Sequence, residues 1–441
     1  MSRSSGSRFG LWPLVSLIYL LVSGGAYGIE EAVGIAGPRL TLLLCTIIPI
    51  TLSLPTALMA AELTALIPVE GGFYFWVKAG LGPFAGFAEA YLTILFTMVD
   101  SAIYPVLFAT YLSFLLPIGP TTQTLLGVGL VWLCGLLNLL GIKTVGRTSI
   151  GFTSLLLLPM AALVLFGLPQ FGHWSLPPEG PDGHHLLAAL GGGMTVVMWN
   201  FGGWENVSVV AGEIETPGRN YVRAIAIALP MVALGYLLPL SVGLVADGRA
   251  SNWHTGYFAE VGARIGGPWL KLAIGLGGAI SAFGMFDAAL LWVSRLPFVL
   301  AGEGYLPRGL GQIWKTSEVP ARSIIVCCVV FSVLVSLGFM TLIVLDVAFY
   351  MMALMLEMWA LVHLRYAQPD RKGLFTIGGG RMGLILTVGA PLLTWLATFG
   401  FAIAQGGGEY DYLVAITLAL PGWPLYLFLR HRYGGPASEQ R

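Results

Sequence analysis

Two runs decide how this chain folds: Ser23-Gly24-Gly25-Ala26-Tyr27-Gly28 and Asn200-Phe201-Gly202-Gly203-Trp204. Each interrupts an apolar stretch long enough to cross a bilayer, the first from Leu11 to Ala36 and the second from Leu187 to Ala211. Glycine lowers the cost of opening a helix. Opened backbone at membrane depth survives only where it is buried in protein or lines a cavity. Close packing through small residues, as between Gly24 and Gly28, would explain either run alone. Two such runs at matching places point instead to an inverted repeat with a binding site built on the breaks.

The rest of the chain fits that reading. Of its 441 residues, 56% are hydrophobic and 10% charged, against about 25% charged in soluble domains. Such a chain has little to show to water, and its natural solvent is lipid. The net charge of zero offers nothing to a nucleic acid. Apolar runs predict about twelve membrane spans, near 11–36, 39–67, 83–116, 122–140, 148–170, 187–211, 221–245, 268–300, 322–340, 342–364, 382–404 and 411–430. The breaks fall in spans one and six, so each opens a five-helix repeat. The expected division is a tail at 1–10, repeats at 11–170 and 187–364 separated by an outer loop at 171–186, and a loop at 365–381. Two added helices at 382–430 and a tail at 431–441 complete the chain.

Charge sets the orientation, because Lys and Arg stay on the cytoplasmic side. With the N-terminus inside, all but Arg39, Arg249, Arg264 and Lys271 of the 22 basic residues fall in inner loops. Both termini are then cytoplasmic and the expected location is the plasma (inner) membrane. Arg3 and Arg8, followed by Leu11 to Val22 and small residues, imitate a secretory leader. The apolar run continues to Gly34, which favours an uncleaved first helix. Cys45, Cys134, Cys327 and Cys328 lie in apolar segments without metal-ligand spacing and read as small core residues.

Four motifs, in order, resemble the amino acid–polyamine–organocation superfamily. They are the break from Ser23 to Glu30; Ala61-Glu62-Leu63 with Pro68 and Gly71-Gly72-Phe73-Tyr74; Gly203-Trp204-Glu205 followed by Gly212 to Asn220; and Ser294-Arg295 followed by Ala301 to Pro307. Within it, Gly28 to Gly34 and Asp100 to Phe108 look most like the plant-type polyamine uptake transporters, near the L-type amino acid transporter branch. Those relatives tend to carry Trp-Asp where this chain has Trp204-Glu205. The resemblance implies an all-α, LeuT-type fold of five plus five inverted helices with helices 1 and 6 broken, alternating access, and substrate held at the breaks.

Acidic residues inside spans are Glu30, Glu31, Glu62, Glu89, Asp100, Glu205, Asp287, Asp346 and Glu357, with no Lys or Arg comparably deep. Each costs about 2.5–3.5 kcal/mol at a helix centre, so a role is expected of it. An excess of buried negative charge calls for a cation: an ammonium, a proton or a metal ion. Asp100 is the leading ammonium seat, since Tyr104 and Phe96 share its helix face and add cation–π attraction. Further substrate contacts are expected from Ser23, Gly24, Gly25, Ala26, Tyr27 and Glu30 at the first break. At the second they are expected from Trp199, Asn200, Phe201, Gly202, Gly203, Trp204 and Glu205, the aromatics as a gate. Amides from Gly25 to Tyr27 suit a carboxylate, whereas Glu30 suits an amine.

Glu205, Asp287, Asp346, Tyr350 and Glu357 are candidates for proton coupling or gating, the last three on one face of span ten. Glu62 and Glu89 are expected to pair with Lys78 or the loop after span eight. Some proton-coupled members of the superfamily hold a lysine in span five, where Thr148 to Leu168 has none. Ser281 alone offers sodium too little. The coupling ion is therefore expected to be H+, with Na+ open.

The spacing of Gly378, Gly380 and Gly383 mimics a dinucleotide loop without the strand that loop needs. His184-His185 lacks metal-ligand spacing, and Asn206-Val207-Ser208 lies within a span. No cofactor, metal or catalytic residue is expected; a channel, which steady single-channel current would reveal, and a membrane-embedded enzyme, for which no nucleophile–base pair or metal cluster is found at membrane depth, are remote alternatives. The function expected is secondary transport of a cationic amine, polyamine or basic amino acid; the alternative is a neutral amino acid permease on the same fold.

Overall fold

The computed structural model describes residues 10–69, 71–140, 149–169, 186–208, 217–302, 307–314, 319–367, 373, 375–404 and 409–433. Every regular element among them is helical. The order is α1 (Leu11–Val22), α2 (Glu30–Ile48), α3 (Leu54–Leu66), α4 (Gly72–Leu81), α5 (Pro83–Ser113), α6 (Pro120–Leu139), α7 (Ser149–Gly167), α8 (Leu186–Phe201) and α9 (Pro217–Ala246). It continues with α10 (Phe258–Gly266), α11 (Pro268–Val293), α12 (Arg295–Gly302), α13 (Ala321–Val335), α14 (Phe339–Ala367), α15 (Gly380–Ala404), α16 (Glu409–Ala419) and α17 (Gly422–Tyr433). Arg3, Arg8, Lys143, Arg147, His184, His185, Lys315, Arg371, Lys372 and Arg441 lie outside the described residues, as do the motif stretches 212–216 and 303–306.

Nine helical stretches among the described residues are long and apolar enough to cross a membrane. Three shorter apolar helices, Leu11–Val22, Leu157–Gly167 and Ala321–Val335, accompany them. Outward-facing residues are apolar too: Leu125, Leu158, Ile385 and Leu393 are each more than 60% exposed, which suits lipid rather than water.

Both expected breaks are present. Residues 23–29 separate α1 from α2, and α8 ends at Phe201. The joint at Gly37-Pro38 is a bend inside α2, where Gly37 adopts φ 78°. Unbent, the 37 residues from Glu30 to Leu66 would run about 55 Å, far beyond a hydrocarbon core of about 30 Å. Pro49–Ser53 between α2 and α3 forms a single π-helical turn.

Four boundaries differ from expectation, each for a local reason. The eighth span stops at Val293 instead of running to 300, because Pro297 lacks an amide and its ring would clash with that carbonyl. The last span is two helices, α16 and α17, since Pro421 does the same to the carbonyl of Thr417. Two stretches taken as loops hold short helices: α4 starts after Gly71 in a left-handed conformation, and α10 is closed by Gly267 with φ 82°.

The helices group into two compact units, each assembled from three chain segments. The first comprises residues 1–93, 174–253 and 349–409; the second comprises 94–173, 254–348 and 410–441. In the first, α2 runs along α8 through small residues. A Cβ on Gly193 would stand 2.7 Å from Ala36 Cβ, so only glycine permits this approach. On its other side α8 meets α15, Gly191 lying against the backbone of Ala402. In the second, Gly278 of α11 receives the ring of the fully buried Tyr111. Gly135 of α6 receives Cys328 of α13.

Candidate functional site

In the first unit the two breaks are held open by side chains that replace the lost helical bonds. At the first, Gly24, Gly25 and Gly28 all take positive φ. The Gly25 amide donates to Ser23 Oγ at 3.3 Å, and Tyr236 OH donates to the Ser23 carbonyl at 2.8 Å. The Gly28 amide donates to Glu30 Oε2 at 2.7 Å. Glu30 is fully buried while Glu31 is half-buried. A carboxylate of the chain itself therefore occupies the positive end of α2. Ala26 and Tyr27 are buried beside it, whereas Ser23 and Gly24 are half-buried.

At the second break the accounting is equally full. The Phe201 carbonyl accepts from Ser53 Oγ at 2.8 Å and from Trp204 Nε1 at 2.9 Å. The Trp204 carbonyl accepts from Tyr221 OH at 3.0 Å. Gly203, at φ 83°, turns its amide to Tyr350 OH at 3.0 Å, and that hydroxyl donates to Glu205 Oε2 at 3.0 Å. A Cβ on Gly203 would fall 2.8 Å from Asn206 Nδ2 and 3.8 Å from the Leu21 carbonyl, which brings this break beside the end of α1. Phe201 and Trp204 are fully buried. Trp199 and Gly202 are half-buried, and Asn200 bonds back to the Val196 carbonyl at 2.9 Å.

Glu205 is 2% exposed and has two acidic neighbours, Glu89 on α5 and Glu357 on α14, at 1% and 3% exposure. The three feel one another's charge. Thr93 Oγ1 donates to Glu89 Oε1 at 3.2 Å, whereas Glu89 Oε2 and Glu357 Oε2 are buried with no hydrogen-bond partner. Glu62 forms an ion pair with Arg365 instead of Lys78. Arg365 Nε donates to Glu62 Oε1 at 2.6 Å, its Nη2 to Oε2, and the Ile377 amide to Oε2 at 2.7 Å.

The second unit holds Asp100, Tyr104, Asp287 and Asp346. Tyr104 OH donates to Asp100 Oδ2 at 3.1 Å, and both side chains are half-buried. Asp346 is buried close enough for its charge to feel Asp100, and its Oδ1 has no partner. Asp287 is buried and accepts from Asn138 Nδ2 at 2.9 Å. Asn138, Tyr221, Tyr236 and Ser53 carry these sites without having been singled out in the sequence. A polar residue that bonds to a distant helix leaves no local pattern.

Apolar spans, two helices opened where side chains take up the freed backbone, and buried carboxylates make this a polytopic membrane permease. Comparison with known proteins narrows the class. The family profile for amino acid permeases matches residues 9–418, and the chain belongs to that family. It is similar to polyamine transporter PUT1 of Oryza sativa subsp. japonica, 31% identical over 393 residues, covering 88% of this chain and 73% of that one. A probable polyamine transporter of Arabidopsis thaliana is 30% identical over 436 residues, 96% of this chain and 84% of its own. Polyamine transporter RMV1 of the same plant is 31% identical over 379 residues, 85% and 76% of the two chains. The chain is thus a transporter and not an enzyme.

Proposed function

We propose that this permease is a secondary active transporter of a cationic amine, with a polyamine as the favoured substrate, working by alternating access. The observation that carries the reading is the pair Asp100 and Asp346. Two neighbouring carboxylates, one with a buried oxygen lacking any partner, offer a negative field with no cation bonded to that oxygen. An alkylammonium answers it, and Tyr104 beside Asp100 adds an aromatic face. The names of the relatives point the same way. Substrate contacts are further proposed at the breaks, from Ser23 to Tyr27 with Glu30, and from Trp199 to Glu205.

The first break argues against a neutral amino acid. There the Gly28 amide already serves Glu30, so a substrate carboxylate at that helix end would meet a fixed negative charge. The coupling ion in this reading is a proton, held by Glu205 or Asp287, with Asp346, Tyr350 and Glu357 as further relay or gating groups. A five-plus-five inverted repeat over 11–170 and 187–364, with both termini on the cytoplasmic side of the plasma or inner membrane, completes it.

The test is uptake of labelled putrescine, spermidine, arginine and leucine by purified protein in liposomes under an inward proton gradient. Asp100→Asn should weaken amine uptake by about 30- to 150-fold in apparent affinity, the loss of about 2–3 kcal/mol for a bond to a charged group. Leucine uptake that survives the substitution would replace this reading with a neutral amino acid permease.

A further inference from the structure

Glu89, Glu205 and Glu357 come from three separate helical regions of the first unit, α5, the stretch after α8, and α14, yet all three are buried and near enough to feel one another's charge. Two of their oxygens, Glu89 Oε2 and Glu357 Oε2, have no hydrogen-bond partner. Buried polar atoms in native proteins are nearly always paired, so each such atom needs an explanation. A carboxylate left without donors in a membrane interior is costly, and a protonated carboxyl is the least expensive form it can take.

Among the described residues the surrounding groups do not supply a counter-charge. From α5 the neighbour is Thr93, bonded to Glu89 Oε1. From α14 it is Tyr350, bonded to Glu205 Oε2, and from α9 it is Tyr221, whose hydroxyl serves the Trp204 carbonyl. α4 packs against both α5 and α14, with Lys78 against Gly86 and Gly80 against Ala360. Its Lys78 ammonium lies 5.8 Å from the Tyr74 ring centre and bonds to neither orphaned oxygen. On α9, Arg219 and Arg223 are exposed; on α14, His363 is exposed and Arg365 is engaged by Glu62. Among the described residues no three acidic, His or Cys side chains converge closely enough to ligate a metal ion.

We propose that Glu89, Glu205 and Glu357 form a proton-holding cluster that couples transport to proton flow, with the exchangeable proton distributed between Glu89 and Glu357 as carboxylic acids. This inference rests on the transport reading above and places the exchangeable proton on the two acidic neighbours of Glu205, with Glu205 relaying their charge state and Asp287 left out of the coupling. Release of the proton to water leaves a carboxylate, and uptake restores the acid; no other bond changes. Glu205 conveys the charge state to the α8 break. As a carboxylate it accepts from Tyr350 OH, and that oxygen accepts from the Gly203 amide. Protonation of Glu205 removes the negative charge that strengthens this bond, or reverses the bond where the proton sits on Oε2, and either change alters the bond sequence at Gly203.

Two measurements on the full-length protein test this. Infrared difference spectra on protonation and deprotonation, with carbon-13-labelled glutamate, should show a protonated carboxylic C=O band. That band should shrink in Glu89→Gln and disappear in the Glu89→Gln, Glu357→Gln double variant. In liposomes, Glu89→Gln should still exchange putrescine across the membrane without a gradient but lose accumulation driven by a proton gradient. Gln is the near-isostere of a protonated Glu, so folding should be retained. Glu357→Gln alone provides the second infrared readout if the double variant does not fold. An unchanged carboxylic band, or proton-driven accumulation at the wild-type level in Glu89→Gln, would overturn the proposal, as would wild-type accumulation driven by a sodium gradient alone. Absence of any amine exchange by the wild type would remove the amine-transport reading, and the infrared band would still decide whether the cluster holds a proton.

Discussion

Replacing Tyr350 by Phe removes one oxygen and strands two partners. The Gly203 amide loses its acceptor at 3.0 Å and Glu205 Oε2 its donor at 3.0 Å, both at a site where Tyr350 is only 7% exposed. By the soluble-protein scale, each orphaned group costs about 1–3 kcal/mol. Within membranes, side-chain hydrogen bonds average about 0.6 kcal/mol and reach about 1.7. The membrane scale governs here, since the denatured helices also find partners, and the expected loss is about 1–3 kcal/mol for the two bonds. Unfolding in mixed detergent micelles at rising dodecyl sulfate measures it. Tyr236→Phe, which gives up the bond to the Ser23 carbonyl, should lose about half as much. A cycle with Glu205→Ala should return a coupling energy of about 0.5–3 kcal/mol. If Tyr350→Phe unfolds within about 0.3 kcal/mol of wild type, the hydroxyl does not bridge the break and the account of α8 fails.

Two further outcomes follow from buried pairs. Arg365→Ala should cost about 3–5 kcal/mol, because it leaves Glu62 as a buried charge holding only the Ile377 amide, and replacing both partners by Met should cost less; thermal inactivation of purified protein compares them. Asn138→Asp sets a second carboxyl where an amide now donates to Asp287 at 2.9 Å. Two adjacent carboxylates repel and a shared proton relieves them, so this variant should be less stable than wild type at pH 8 and recover part of the difference near pH 5.

The sequence is most informative where chemistry is local. Glycines at 24, 25, 28 and 203 disclose the breaks because positive φ is a property of one residue. Gly37-Pro38 marks the bend in α2 for the same reason. The nature of the buried acids was equally legible, since a carboxylate within an apolar run is visible without a structure. Their partners were not. Glu62 pairs with Arg365, 303 residues away, and Glu89 joins Glu205 and Glu357 across three helical regions. Such meetings depend on which faces of distant helices touch, and a helix apolar all round gives no preferred face to read. Tyr221 and Tyr236 escaped notice for a related reason: on an apolar helix a tyrosine looks like core until its hydroxyl finds a broken turn.

The π-helical turn at Pro49–Ser53 fixes more than its own five residues. A π turn closes its hydrogen bond five residues along instead of four, so it holds one residue more than an α turn while the helices on either side keep nearly their α phase. The same surplus residue placed within α3 would rotate everything after it by about 100° and advance it by about 1.5 Å. Glu62, at the far end, would then swing off Arg365 and the Ile377 amide. The π turn thus acts as an expansion joint. It takes up the extra residue beside Ser53, whose hydroxyl holds the Phe201 carbonyl, and leaves the anchor at the other end of α3 undisturbed.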